Sequence, residues 1–413
     1  MIGVKKNVVV FFGLFLVGML FVPTGIPFMV PEAEAVVSAS SISIGQSGTT
    51  NGGDCETVGT WQPQPNSSFP NGGICTLTTD IQITGTGIGI SIASSSVTLD
   101  GAGHTVTGTQ TSGYDHMGLT TCNQCHTMVV KDLTIKNFSW GLRSYNANGL
   151  TITGVTVENV GSVGIYINGV DSLLLENNIV NDSGMQVFGY NSSIGVGDGT
   201  CTGTGQYVSA AEWANAPIVI KNNQVSGGLY TSDGAGWCIE GNTVTDGSLS
   251  VSYAWDQVSP QNHIIKNNQV TGNTNGNGFN VVGSGNTFDS NTASGNRNGF
   301  NFDYRSQNNI ITNNVANNNG DYGFYFSINL ENVYVYGDSV PGSVGHTFTG
   351  NTASGNGVAD IEGISGPPEL TITSFTSGEA SEWYVQNCPS CPLDHMRIDV
   401  EGDAVGMSQE YLT

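Results

Sequence analysis

Asp256, Asp303 and Arg305 are the side chains of this 413-residue chain best suited to acid–base chemistry, with Asp233 close by in sequence. Two carboxyl groups flanking a glycosidic bond can protonate the leaving oxygen and activate water, or attack directly, and their separation sets the stereochemical outcome. A second group suits binding rather than bond breaking: Arg143, Tyr145, Tyr166, Tyr230, Asn280, Asn301 and Tyr325, with Asp233 and Trp255 beside them. Sugar rings present apolar faces and hydroxyl edges, so aromatic platforms between amides match them. The expected ligand is therefore a polysaccharide or cell-surface glycan.

Cysteine chemistry offers sharper motifs. Cys122-Asn123-Gln124-Cys125-His126 has the spacing of a haem attachment site, but it falls in a turn just before an apolar run, where haem would find no pocket. A local disulfide is the expectation there. Cys388 and Cys391, followed by His395 and Met396, combine thiolate, imidazole and thioether, ligands that suit Cu(I). Eight cysteines in an exported chain favour disulfides, and proximity in sequence pairs Cys55 with Cys75, Cys122 with Cys125, Cys201 with Cys238, and Cys388 with Cys391. The sequence fixes no metal. His104, His263 and His346 read as turn hydrogen-bonders rather than ligands.

These side chains must be positioned by a repeat. In the stretch 285–316, Asn291-Thr292-Ala293 leads to a Gly-rich turn and then to Gly299-Phe300-Asn301-Phe302, and the pattern restarts at Ile310. Leu133, Val155 and Asn178 are spaced by 22 and 23 residues, and Asn268, Asn291 and Asn314 by 23 each. Strand alternation broken by Asn and Gly at such a period suits three short strands per circuit of a solenoid. Ile165, Met185, Leu229, Phe279, Phe300 and Phe324 then point inward, and the tyrosines and amides named above point outward. The aligned asparagines are expected to form a ladder that satisfies polar groups at a turn.

LDGAGHTVTG at 99–108 and the elements IKNF, GIYI, LLENNIV, IKNNQV and GFNF resemble right-handed parallel β-helix repeat proteins, most of all the NosD-like group of the pectate-lyase-like superfamily. The resemblance covers roughly residues 90–362. It implies an all-β fold: a right-handed, single-stranded parallel β-helix of about ten rungs with capped ends. It also implies a Ca²⁺-assisted lyase with Arg305 beside acidic ligands as one activity, and copper handling as another. Yet the NTD, DD, HG and RIK set of polygalacturonases, the RxPxxR of pectate lyases and the DPH of alginate epimerases are all missing.

The domain plan is a signal peptide at 1–35, an N-terminal cap at 36–96, the β-helix at 97–366 with an insert at 189–216, and a strand-rich cap at 367–413. Lys5 and Lys6, the apolar run from Val8 to Val22 and Ala33-Glu34-Ala35 make the export signal. The run is shorter than the roughly 20 residues a membrane span needs, so the mature chain is expected to be secreted, or periplasmic where the host has an outer membrane. A net charge of −23 repels phosphate backbones and argues against nucleic acid. The expected function is polysaccharide binding, with lyase or hydrolase activity left open; the alternatives are a structural surface rod and a NosD-like copper-handling protein.

Overall fold

The computed structural model describes residues 36–45, 52–64, 69, 71–109, 111–113, 115–189, 218–252, 261–327, 334–335, 338–339, 343, 345–363 and 375–377. The signal-peptide segment, Cys201, Trp255, Asp256, Cys388, Cys391, His395, Met396, most of the 189–216 insert and nearly all of the C-terminal cap lie outside them.

Strands alternate among three sheets. Sheet I holds thirteen strands, sheet II twelve and sheet III twelve. One circuit runs through His126–Lys131 in sheet II, Thr134–Lys136 in sheet I and Trp140–Tyr145 in sheet III, then returns to sheet II at Asn148–Thr153. Strands pair in parallel with the equivalent strands one circuit away, so each turn of chain lies on the turn before it. Gly59–Pro63 departs from this, pairing antiparallel with Gly73–Leu77 at the end of sheet II. Among the described residues, 36–92 also contribute strands to all three sheets, so the winding begins before residue 97. Those early strands carry no Asn repeat, which is why periodicity passes over them.

Alternation builds the interior. Ile165, Met185, Leu229, Phe279, Phe300 and Phe324 are all fully buried, as the pattern of sheet III requires. In the later circuits the core is aromatic: Phe279, Phe300 and Phe324 stack with centroids 4.4 and 4.8 Å apart, and Phe302 stacks on Phe326 at 4.9 Å. Glycine is the second residue of each of these strands for a steric reason. A Cβ on Gly299 would sit 2.5 Å from the Gly323 carbonyl oxygen of the next circuit.

The asparagine ladder is present at the corner between sheets II and I, running through Asn178, Asn223, Asn242, Asn268, Asn291, Asn314 and Asn351. Asn178 Oδ1 accepts from the Val155 backbone N–H, and from Asn223 onward each Oδ1 accepts from both the backbone N–H and the side-chain amide of the preceding asparagine. Asn291, for example, accepts from both at 2.9 and 3.0 Å and itself donates to the Ile265 carbonyl at 2.9 Å. Two further ladders occupy the other corners. Asn273, Asn296, Asn319 and Asn356 line the turn into sheet III. His263, Asn286, Asn309 and His346 line the turn into sheet II, where Nδ1 of each histidine accepts a backbone N–H as an asparagine would. His263 and His346 are thus turn hydrogen-bonders, and burial pushes their pKa values down to about 3 and about 4. His104 differs, its Nδ1 lying 3.2 Å from Asp80.

Disulfides join Cys55 to Cys75 and Cys122 to Cys125. The second is the local disulfide expected at the Cys122–Cys125 turn. Cys238 is also disulfide-bonded. On the outer face of sheet II, Lys131–Asp100, Lys221–Glu176 and Lys266–Glu240 pair across adjacent circuits at 2.6, 3.1 and 3.4 Å.

Candidate functional site

The outward face of sheet III collects most of the expected binding residues. In-register pairing places Thr120, Arg143, Tyr166, Gln186, Tyr230, Ser250, Asn280, Asn301, Tyr325 and Glu362 in one row, each on a successive circuit. A parallel row two residues on holds Tyr145, Asn168, Phe188 and Ser232. Tyr166 and Tyr325 are six circuits apart, about 29 Å at a strand spacing of ~4.8 Å.

At one end Arg143 is surrounded by aromatic rings. Its guanidinium carbon lies 4.9 Å from the Trp140 ring centroid, 4.6 Å from that of Tyr145 and 5.7 Å from that of Tyr166. Nη2 donates to the Tyr145 hydroxyl, Nη1 approaches the Met117 sulfur at 3.9 Å, and Nε is buried without a hydrogen-bond partner. Tyr166 anchors the group: Trp140 meets it edge-on at 5.5 Å, Phe188 and Tyr145 flank it at 5.5 and 5.7 Å, and Asn168 Nδ2 donates to its hydroxyl at 3.0 Å. Trp140 stands outside the expected set because strict alternation would give it the inward face of Leu142, two residues on; the strand's burial pattern breaks at Gly141 and leaves Trp140 half-buried among the outward rings.

The other end is built from amides. Asn298 donates to Asn277, Asn277 to Asn280, and Asn301 to Asn280, at 2.9 to 3.1 Å. Tyr322 and Tyr325 stack beyond them with centroids 5.0 Å apart. Between the two ends Tyr230 stands 40% exposed in its row.

The candidate acids are spread out. Asp303 follows the strand Asn298–Phe302, and burial raises its pKa against the opposing backbone N–H groups of Arg305 and Tyr304. Arg305 stacks over Tyr304 at 4.8 Å and donates to its hydroxyl. Asp233 is buried, with a φ of 64°, at the end of Leu229–Ser232. Three circuits separate it from Asp303, about 14 Å at ~4.8 Å per circuit, which is wider than the roughly 5–9.5 Å of glycosidase carboxyl pairs. Among the described residues, no group of three or more His, Cys, Asp or Glu side chains is placed to hold a metal ion.

Comparison with known proteins agrees with the observed topology. The family description "Right handed beta helix region" matches residues 207–360. With three parallel sheets wound circuit on circuit, the fold is that of a right-handed parallel β-helix. No curated protein matches the sequence. Among solved structures, a mutant of the periplasmic alginate epimerase AlgG is similar at 13% identity over 74% of this chain and 76% of that one, with a TM-score of 0.43. The A-module of the Azotobacter vinelandii mannuronan C-5 epimerase AlgE6 is similar at 13% identity over 76% and 90%, with a TM-score of 0.38. The catalytic domain of a GH87 α-1,3-glucanase in complex with nigerose is similar at 13% identity over 74% of this chain and 56% of that one, with a TM-score of 0.37. The observed strand pairing, not these likenesses, carries the fold.

Proposed function

We propose that this protein is exported and binds extracellular polysaccharide along the outward face of sheet III. The observation that carries this is the in-register row from Arg143 to Tyr325, with aromatic groups at both ends and amides between. Rings that face solvent on a rigid sheet lose little conformational entropy on binding and can cover the apolar face of a sugar. The neighbouring amides offer both donors and acceptors to hydroxyl groups. Replacing Tyr166, Tyr230 and Tyr325 together by alanine is expected to abolish retardation in affinity electrophoresis through polysaccharide gels. Unchanged retardation would remove the reading and leave a structural rod, for which the three ladders suffice.

Glycan cleavage is a second reading, favoured by the partly buried Asp303, whose raised pKa keeps the acid form available to higher pH. Asp256 and Arg305 are its expected partners. Release of reducing or unsaturated ends by the native protein, lost in Asp303→Asn, is the outcome it requires.

A further inference from the structure

We infer that the sheet III face takes an uncharged, extended polysaccharide and rejects polyuronates, whether or not divalent cations are present. This rests on the glycan-binding reading above and names the class of glycan.

Arg143 decides the matter, since it is the one Lys or Arg among the described strands of sheet III. Arginine recognises a carboxylate through a fork of two parallel N–H bonds. In Arg143 the fork that includes Nε is closed by burial, and in the other Nη2 is committed to the Tyr145 hydroxyl. Nη1 faces the Met117 sulfur. The cation is held against Trp140 and Tyr145 by the ring quadrupoles and fixes the orientation of those platforms. It serves as a positioning residue for rings, not as a receptor for an anion.

Beyond the strands, Arg305 beside Asp303 lies over the Tyr304 ring and donates to its hydroxyl, and the remaining charge on this face is carboxylate. Asp303 and Glu362 lie on it, and Asp321 at its edge is neutralised by Arg297 at 2.7 Å. With a chain charge of −23 behind them, an approaching polyanion meets net repulsion. A bridging cation would relieve that, but the described residues offer no cluster to hold one. What the face does offer is uncharged: the linked amides of Asn277, Asn280, Asn298 and Asn301. Such groups suit the hydroxyls of a neutral sugar chain.

The test is affinity electrophoresis and calorimetry of the full chain on β-glucan, xylan and mannan beside alginate and polygalacturonate. Each polymer is run at low salt, at high salt and with Ca²⁺. The expected result is retardation by at least one neutral polymer, weakened about tenfold or more by Tyr166→Ala, and none by either polyuronate in any condition. Polyuronate binding of any kind overturns this inference and leaves glycan binding standing; its loss in Arg143→Gln would show the guanidinium acting as an anion receptor after all. Retardation by no polymer overturns the glycan reading itself. Neutral-polymer binding indifferent to Tyr166→Ala moves the site off this face and overturns both.

Discussion

The two halves of the β-helix differ in how they fill their corners and their interior. In circuits containing Asn268, Asn291 and Asn314, ladders occupy all three corners and the interior is a stack of phenylalanines. In the circuits of Arg143 and Tyr166 the interior is mainly aliphatic, with Leu142 and Ile165 beside the buried Phe138, and Trp140, Tyr145, Tyr166 and Phe188 cluster on the outward face. The corner that later carries asparagine holds Leu133 and Val155 here, both buried. The self-stacking half is bonded to itself at every turn, and the less regular half presents aromatic groups to solvent. Departures from local consistency tend to mark function, and here they point to the aromatic cluster.

The widest separation between the halves comes from paired truncations. Phe300→Ala deletes a fully buried ring from the middle of the stack and is expected to cost about 3–5 kcal/mol. Tyr166→Ala removes a ring from the outward face and should change stability far less while weakening glycan binding. Denaturant midpoints for both variants check this, and equal losses would erase the distinction.

Asn291→Ala probes the ladder. It leaves the Asn268 backbone N–H and side-chain amide without their shared acceptor and takes the donor from the Ile265 carbonyl. With buried groups left unpaired, a loss of about 2–4 kcal/mol is expected in chemical denaturation.

The third effect is a pH response, concentrated in the regular half at His263 and His346. His263 and His346 have folded pKa values lowered by burial to about 3 and about 4. The unfolded chain therefore binds their protons first, as pH falls below about 6.5. Their contribution to stability is complete above that value and declines by about 1.4 kcal/mol per pH unit per histidine as pH falls towards the folded values. His263→Asn, which keeps an acceptor in the ladder, should flatten stability between pH 6.5 and 4. An unchanged slope would place the response elsewhere.

The later circuits were legible because each constraint writes a letter. A buried corner amide demands Asn, a close backbone approach demands Gly, and an inward slot takes Phe. The first two circuits, including Val36–Ala39 and Ile88–Ile92, obey the same alternation without the Asn marker, so their strands read as a cap. The site was legible as a direction more than as a cluster. Alternation turned Arg143, Tyr145 and Tyr166 outward, but that Arg143 would be enclosed by Trp140 and the two tyrosines depends on side-chain rotamers across circuits. The ladder at the turn into sheet II was half hidden because His263 and His346 substitute for asparagine in shape rather than in letter.

The asparagine ladder also frees position along the rod from distance along the chain. Asn178 meets Asn223 across 45 residues, Asn223 meets Asn242 across 19, and Asn314 meets Asn351 across 37, with the same 2.9 Å bond each time. Doubling a flexible loop costs only about 0.6 kcal/mol in closure entropy, small beside the bonds that re-clamp the chain at the next rung. The molecule behaves as a backplane with sockets: segments of very different length can be plugged in between rungs without disturbing those on either side. New loops can thus be tried out over an unchanging row of outward side chains, which lets recognition change while the scaffold stays as it is.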